Sequence, residues 1–270
     1  MFNFKCITLL SALFFTVTHT FALELKPDSV QSVQSQPLSD IASFPVLIEH
    51  NGEYQAFAEP PRLAIALYQY HQQTDIYWPT ARLYQLNTAD NVRINQLRLQ
   101  VVAALKHLTR SHARDKRLAM QLIELANTLD SFQYAKPLDI VLDPSLTLVD
   151  PKANPRLTTG RYLLATPQRR GAIVFIGLGG QVFQPLVPTQ AVWQLFADSK
   201  FAAQQQVDEL WLIEPHQPIR TIPVASWNRQ QLFVNVGALL FVPLPEPVLT
   251  DEFSQLNHHI AELLSYRVSQ

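Results

Sequence analysis

The chain has 270 residues, of which 47% are hydrophobic, and its 21 basic and 22 acidic residues give a formal net charge of −1. This composition excludes an intrinsically disordered chain, which has few hydrophobic residues and a high net charge. It also lacks the overall positive charge of a nucleic-acid-binding protein. Glycine is scarce, with seven residues, and proline is common, with nineteen. We therefore expect many short elements separated by prolines rather than glycine-rich cofactor loops.

The first 22 residues have the pattern of a secretory signal peptide. Lys5 provides a positive charge, residues 7–17 are apolar, and the Thr-Phe-Ala sequence that ends at Ala22 suits a signal peptidase. The apolar stretch is shorter than the roughly 20 residues that a membrane-spanning helix needs. Cleavage would remove Cys6, the one cysteine, so no disulfide or cysteine site is expected. We predict a periplasmic mature chain without a transmembrane span.

The first part of the mature chain, residues 23–165, is predicted to form a β-grasp-like domain. Extended segments at 45–48 and 54–57 flank Asn51 and Gly52. Asn-Gly is the strongest short hairpin signal, because both turn residues must accept positive φ. Two prolines then precede a helical pattern, and a further extended segment follows. Hairpin, helix and strand is the order of a β-grasp unit.

A helical hairpin is predicted to be inserted in this first domain, at about residues 90–130. Apolar residues recur there at helical spacing in two runs. They are Ile94, Leu97, Val101, Leu105 and Leu108 in the first run, and Leu118, Leu122, Leu125 and Leu129 in the second. Two amphipathic helices with a tight connection pack as an antiparallel pair.

The polar break between these helices is basic, since it contains Arg110, Arg114, Lys116 and Arg117. Such a patch could bind an anionic polymer. The alternative is that these charges are ordinary, because positive side chains are common at a helix C-terminus and in a solvated turn. The sequence leaves both interpretations open.

Strand patterns recur on both sides of the helical hairpin and dominate residues 166–246, which are predicted to form a second β-grasp-like domain. The further predicted extended segments are 76–79, 82–84, 138–142, 146–149, 161–164, 172–176, 181–186, 210–213, 219–224 and 239–242. One helix is predicted to bury Val192, Leu195 and Phe196. Residues 177–180 hold the one glycine cluster but lack the other residues of a phosphate-binding loop, so a hairpin turn is predicted there.

The chain ends, over residues 247–270, in a predicted amphipathic helix. Its apolar face comprises Phe253, Leu256, Ile260, Leu263 and Leu264. One interpretation is a helix that packs on its own domain. The other is a face that docks a partner protein or lies on a membrane surface. The polar face has little lysine or arginine, which disfavours the membrane.

No catalytic residue, metal site or cofactor is predicted. The histidines lack the spacing of a metal site, and neither H-E-x-x-H nor G-x-S-x-G occurs. Aromatic rings pack on the apolar faces of sugars, so the tryptophans are candidate glycan contacts. Trp193 and Trp211 lie in apolar runs that indicate burial, whereas Trp78 and Trp227 are predicted to be more exposed.

A set of short segments carries a resemblance to a known family. They are residues 77–79 (Tyr-Trp-Pro), 141–144 (Val-Leu-Asp-Pro), 148–150 (Leu-Val-Asp), 154–155 (Asn-Pro), 160–162 (Gly-Arg-Tyr), 223–228 (Pro-Val-Ala-Ser-Trp-Asn), 256–257 (Leu-Asn) and 266–268 (Tyr-Arg-Val). In this order, over nearly the whole mature chain, they resemble the GfcC family of capsule-biosynthesis proteins, which includes the YjbG-type exopolysaccharide proteins.

The resemblance implies an α+β fold with two β-grasp domains, a helical hairpin inserted in the first and an amphipathic helix at the C-terminus. It implies domains similar to those of Wza-type export channels of the outer membrane, and no catalytic activity. The family also has a cleft with an arginine shortly before the Leu-Asp-Pro segment. Lys136 is the nearest basic residue here, at a spacing that differs by about one. Candidate contacts for glycan or partner are therefore Trp78, Lys136, Arg161 and Trp227.

Three functional hypotheses follow. The first is a non-enzymatic periplasmic protein that assists capsule or exopolysaccharide assembly by binding surface polysaccharide or the outer-membrane export proteins. The second is a polysaccharide-modifying enzyme, which requires a cleft with convergent ionisable groups. The third is a general protein-interaction module whose C-terminal helix docks a partner.

Overall fold

A computed structural model describes most of the chain after the predicted signal peptide. The described residues are 30–33, 43–70, 76–166, 171–203, 207–214 and 217–268. The signal peptide predicted for residues 1–22 lies outside them.

The described residues form two five-stranded sheets, six α-helices and five short 3-10 turns. The strands are β1 (Val30–Val33), β2 (Val46–His50), β3 (Glu53–Phe57), β4 (Arg82–Leu86), β5 (Gly160–Ala165), β6 (Ala172–Gly177), β7 (Gly180–Pro185), β8 (Glu209–Ile213), β9 (Arg220–Pro223) and β10 (Leu239–Phe241). The α-helices are α1 (Leu63–Leu67), α2 (Ala89–Ser111), α3 (Lys116–Ser131), α4 (Pro144–Val149), α5 (Val192–Ala197) and α6 (Leu256–Ser265). The 3-10 turns are Tyr68–Tyr70, Trp78–Thr80, Pro151–Ala153, Glu246–Val248 and Asp251–Phe253.

The first sheet has the strand order β1-β3-β2-β5-β4 and is mixed. Strands β2 and β3 form the predicted hairpin, with φ of 52° at Asn51 and 82° at Gly52. Strand β5 runs parallel to β2 and antiparallel to β4. One face of the sheet packs on α1, where Leu63, Ala66 and Leu67 are buried. The sheet and this helix therefore enclose a core of their own.

The second sheet has the order β7-β6-β10-β8-β9, with β10 parallel to β6 and antiparallel to β8. It is covered on both faces. Phe175, Leu212 and Leu240 pack toward α5 on one face, whereas Ile176 and Phe241 pack toward other helices on the opposite face. A strand that is buried on both faces has a continuous apolar sequence rather than an alternating one, which explains the apolar runs of β6 and β8.

Helices α2 and α3 form the predicted hairpin, inserted between β4 and β5. Thr88 caps α2 by accepting a hydrogen bond from the Asn91 N–H, and Asp115 caps α3 by accepting one from the Leu118 N–H. The apolar stripes of both helices pack against the second sheet rather than the first. The backbone N–H of Gly179, in the β6–β7 turn, donates to the carbonyl of Gln121 at 3.1 Å.

Helix α6 packs beside this hairpin on the same face of the second sheet, and together they form what we call the shared core. Its main members are Ile94, Val101, Leu105, Leu108, Leu122, Leu125, Leu129, Ile176, Ile213, Phe241, Leu256, Ile260, Leu263 and Leu264. Because α2 and α3 belong in sequence to the first sheet, the shared core joins both halves of the chain.

The predicted C-terminal helix has its apolar face inside this shared core. Leu256, Ile260, Leu263 and Leu264 are each at most 3% exposed, and Phe253 lies in the preceding 3-10 turn, partly buried. The structure therefore agrees with the interpretation in which this helix packs on its own chain. Docking of a partner on these residues stays a prediction that would require α6 to leave the core.

The residues after α6 form hydrogen bonds that hold the C-terminal segment beside the first sheet. The Ala135 N–H donates to the Tyr266 carbonyl at 3.0 Å, and the Val268 N–H donates to the Gln133 carbonyl at 2.9 Å. From β4, the Tyr84 hydroxyl donates to the Arg267 carbonyl at 3.2 Å. These bonds anchor the C-terminal segment on the residues that follow α3 and on β4.

A second contact between the two halves occurs at Gly237. Its φ is 85°, and a Cβ atom built there would lie 2.9 Å from Thr80 Cγ2. Thr80 ends the Trp78–Thr80 turn, is buried, and donates its hydroxyl to the Tyr77 carbonyl. The loop before β10 therefore approaches the first half closely enough to require glycine.

Three of the predicted extended segments are wrong. Residues 146–149 belong to α4, because Asp143 accepts hydrogen bonds from two N–H groups of the first turn and Pro144 suits the first helical position. Residues 138–142 are irregular. The apolar segment at 76–79 leads into a 3-10 turn at Trp78–Thr80 instead of remaining extended. At 146–149 and 76–79, local capping and proline geometry outweighed the β propensity.

None of the helices in the described ranges has the length and hydropathy that crossing a membrane requires.

Candidate functional site

A groove of about 190 Å³ lies between the first half of α2 and the end of α6. Ile94 and Leu97 form its apolar base, and its polar lining is Arg93, Gln96, Gln100, Glu262 and Tyr266. Sites for drug-sized ligands occupy about 300–1,000 Å³. The groove therefore fits a single small group, such as one residue of a polymer, rather than a large cofactor.

The polar side chains of the groove are held by two packed helices. Arg93, Gln96 and Gln100 follow one another at i, i+3 and i+7, which places them along one face of α2. Ile94 beside them is buried in the shared core and sets the rotation of the helix. On α6, Leu263 and Leu264 are buried in the same core. The rigid core thus positions the groove.

The chemistry of the groove suits a ligand rich in hydroxyl groups. Arg93 provides donors, Glu262 provides acceptors, and the amides of Gln96 and Gln100 provide both. The ring of Tyr266 adds a flat apolar surface with a polar tip. Sugars present this combination of hydroxyl groups and apolar faces.

An ion pair lies at the start of α2, next to the groove. Lys136 Nζ is 2.7 Å from Asp90 Oδ2, and the Lys136 N–H donates to the Asn91 side chain at 2.9 Å. The hydrogen bond from Lys136 is the largest cause that lowers the pKa of Asp90 below its ordinary value. Desolvation opposes it, and the charges of Lys136 and Arg93 make smaller contributions that lower the pKa. Lys136 and Arg93 therefore act on the same carboxylate, although Lys136 does not line the groove.

Replacing Lys136 by glutamine is expected to return the pKa of Asp90 toward its ordinary value. A lowered carboxyl pKa stabilises the fold above the unfolded pKa, and that contribution is lost as the pH falls through the folded pKa. NMR titration of the Asp90 carboxyl in wild type and K136Q measures the change. Lys136→Arg, which keeps the positive charge, is the control and should leave the pKa low. An unchanged pKa in K136Q would contradict the ion pair.

The other predicted contact residues, Trp78, Arg161 and Trp227, do not line the groove. Trp78 is partly buried against the core of the first sheet. Arg161 is exposed on β5, where its charge partly offsets the rise in the Tyr54 pKa that burial and Glu49 cause. Trp227 is 75% exposed in a turn after β9. None of the hydrogen bonds, ion pairs or ring contacts found among the described residues joins two of the four candidates, and a glycan contact stays a prediction for each.

The two tryptophans expected to be buried are each partly buried. Trp193 packs against the core on the α5 side, with the Arg229 guanidinium 4.2 Å from its ring centroid. Trp211 packs on the shared core and lies edge-on to the rings of Phe241 and His258. Both therefore have structural partners.

Sequence reasoning missed the five polar residues of the groove. On α2, the i, i+3, i+7 spacing of Arg93, Gln96 and Gln100 is also that of an ordinary solvent-exposed face. Glu262 and Tyr266 lie more than 160 positions later in the chain. Only the packing of α6 against α2 brings the two sets together.

Among the residues that the structure describes, no three histidine, cysteine, aspartate or glutamate side chains are grouped so that they could hold a metal ion. The histidines have other neighbours. The His107 ring lies 5.4 Å from that of Phe253, and His112 Nε2 lies 3.1 Å from the Val248 carbonyl. These contacts fix the end of the helical hairpin against the segment before α6.

Two mixed sheets joined by a shared helical core, with a polar groove at the surface, define an α+β protein. Residues 42–169 match the family described as capsule biosynthesis GfcC, N-terminal, and residues 178–269 match the family described as capsule biosynthesis GfcC C-terminal. The chain belongs to the GfcC family, as the resemblance predicted. It is also similar to the protein YjbG of Escherichia coli (strain K12), with 26% identity over 196 residues that cover 72% of this chain and 78% of the relative.

Proposed function

We propose that this protein is an exported, non-enzymatic accessory factor of capsule or exopolysaccharide assembly. It acts in the periplasm and binds the polysaccharide through the groove between α2 and α6. The observation that carries this proposal is the polar, ring-containing lining of that groove on a chain of the capsule-biosynthesis family.

Two features support export and a link to the secretion machinery. The first 22 residues have the charge, apolar run and small residues of a signal peptide. Each sheet contains an antiparallel hairpin whose inner strand pairs in parallel with a later strand, with a helix between them. This arrangement supports two β-grasp domains, and by resemblance it makes outer-membrane export proteins the second class of partner.

The lining of the groove supports the non-enzymatic part of the proposal. Glu262 is the one carboxylate among its lining residues, whereas most glycosidases use a pair of carboxylates about 5–9.5 Å apart. A groove of this kind binds a sugar residue without reacting with it.

Replacing Arg93 by glutamine is expected to weaken binding of the organism's capsular polymer by at least about tenfold, because hydrogen bonds to charged groups contribute roughly 1.5–3 kcal/mol. Binding is measured with the purified mature chain. In a strain lacking the gene, the wild-type protein should restore the amount and length of surface polysaccharide, and R93Q should restore less. Arg156→Gln is the matched control, because Arg156 is an exposed arginine remote in sequence from both groove helices.

Two results would overturn the proposal. If deletion of the gene leaves the amount, length and attachment of surface polysaccharide unchanged, the protein has no part in its assembly. If the purified protein shortens or modifies the polymer, the alternative of a polysaccharide-modifying enzyme replaces the binding function.

A further inference from the structure

The connection between α2 and α3 carries a concentrated positive charge. We call residues 106–117 the hairpin end. Its five cationic side chains are all exposed, and they are Lys106, Arg110, Arg114, Lys116 and Arg117. The one acidic residue in this segment is Asp115. The formal charge of the whole chain is −1, so the hairpin end differs sharply from the rest of the protein.

These cations have no ion-pair partner within the part of the chain that the structure describes. The ion pairs found there join Arg98 to Asp130, Lys136 to Asp90 and Arg220 to Glu214. Asp115 uses its carboxylate to cap α3. The nearby segment before α6 supplies acidic residues, namely Glu246, Asp251 and Glu252, but none forms an ion pair with the hairpin end. The five cations therefore remain available to an external anion.

Favourable interaction with a helix dipole explains the positions of only some of these cations. Arg110 lies in the last turn of α2, where a cation interacts favourably with the helix dipole. Lys116 and Arg117 lie in the first turn of α3, which contains no acidic residue. A cation at that end of a helix is unfavourable. Departures from such local rules are expected at functional sites.

We propose that the hairpin end binds an anionic polysaccharide, with Arg114, Lys116 and Arg117 at the centre of the site. The inference rests on the proposed function and specifies its ligand as a chain that bears repeated negative charges. An exposed cluster of cations attracts such a polymer by charge complementarity. A helix that lies in a membrane interface also buries an apolar face, and Met120 is the one large exposed hydrophobic residue within the first turns of α3.

The proposal is tested with the charge-reversal variant K116E/R117E of the mature chain. The probes are polygalacturonate, dextran of similar length as a neutral polymer, and phosphatidylglycerol vesicles. The matched control is K152E/R156E, which changes the net charge equally at two exposed cations elsewhere. Because glutamate is favourable in the first turn of a helix, the melting temperature of K116E/R117E should equal or exceed that of wild type, so a loss of binding cannot come from unfolding.

Wild type is expected to bind polygalacturonate but not dextran, and more weakly as salt screens the charges. The reversal should weaken this binding by about tenfold or more, and the control by less than about twofold, since a local site and not the net charge attracts the polymer.

Equal binding by wild type and K116E/R117E would overturn the site while leaving polysaccharide binding through the groove intact. Binding of vesicles without polygalacturonate would assign the hairpin end to a membrane. Binding to neither probe would also overturn the inference, and the phenotype of the deletion strain tests the proposed function separately.

Discussion

Replacing Ile260 by alanine is expected to lower the free energy of unfolding by about 2–5 kcal/mol, the usual range for removing a large buried aliphatic side chain. Ile260 is 0% exposed and packs in the shared core together with residues of α2, α3 and the second sheet. The change therefore leaves a cavity where both halves of the chain meet. Chemical denaturation of the purified mature protein, followed by circular dichroism, measures the loss.

The matched control is His259→Ala, one position earlier on the exposed side of α6. Exposed substitutions usually change stability by less than about 0.5 kcal/mol. If I260A unfolds at the same denaturant concentration as H259A, then α6 is not part of the core. That result would favour a detachable helix that docks a partner, the alternative predicted for Phe253, Leu256, Ile260, Leu263 and Leu264.

Replacing Gly237 by alanine is expected to destabilise the protein by about 2–4 kcal/mol. The positive φ of Gly237 is unfavourable for any residue with a side chain, at a cost of about 1–3 kcal/mol. The new Cβ would also lie 2.9 Å from Thr80 Cγ2, and overpacking costs about 1–3 kcal/mol. Thr80 cannot move freely, because it is buried and its hydroxyl donates to the Tyr77 carbonyl.

The chain offers a close control in Gly52, which has a φ of 82° and no atom within 4 Å of a built Cβ. Gly52→Ala should therefore show the loss of stability that the positive φ causes without any steric overlap. The double variant T80A/G237A should lose less free energy of unfolding than the sum of the losses in its two single variants, because alanine at 80 removes the crowding methyl group. Equal losses in G52A and G237A, with no coupling to Thr80, would show that the two halves do not touch at this point.

The two proposed binding surfaces have different chemistry and can be separated experimentally. The groove offers an arginine, amides, a carboxylate and a ring to one sugar residue, and it should depend weakly on salt. The hairpin end offers only positive charge, and it should depend strongly on salt. Combining R93Q with K116E/R117E in the binding assay distinguishes the two contributions.

The groove also clarifies the role of Lys136. The resemblance placed the nearest basic counterpart of the family's cleft arginine at this position. In the structure, Lys136 pairs with Asp90 beside the groove, and Arg93 is the basic residue that lines it. Lys136 does not line this groove, and its role as counterpart of the family's cleft arginine stays a prediction.

Much of the architecture is visible in the sequence, because it depends on interactions between near neighbours. The Asn51-Gly52 turn, the two helical runs of α2 and α3, and the turn between β6 and β7 follow from backbone preferences and apolar periodicity. The same reasoning failed at residues 146–149. There, the Asp143 cap and Pro144 start a helix that the apolar composition did not indicate.

The tertiary structure alone decided where the elements pack. Periodicity shows that α2, α3 and α6 each have an apolar face, but it does not show which surface covers it. The second sheet, apolar on both faces, provides that cover, so a hairpin inserted between strands of the first sheet packs on the second. The groove exists for the same reason. Arg93 and Glu262 line the same groove because Ile94 and Leu263 are buried in one core. This burial brings α2 and α6 together although they are far apart along the chain.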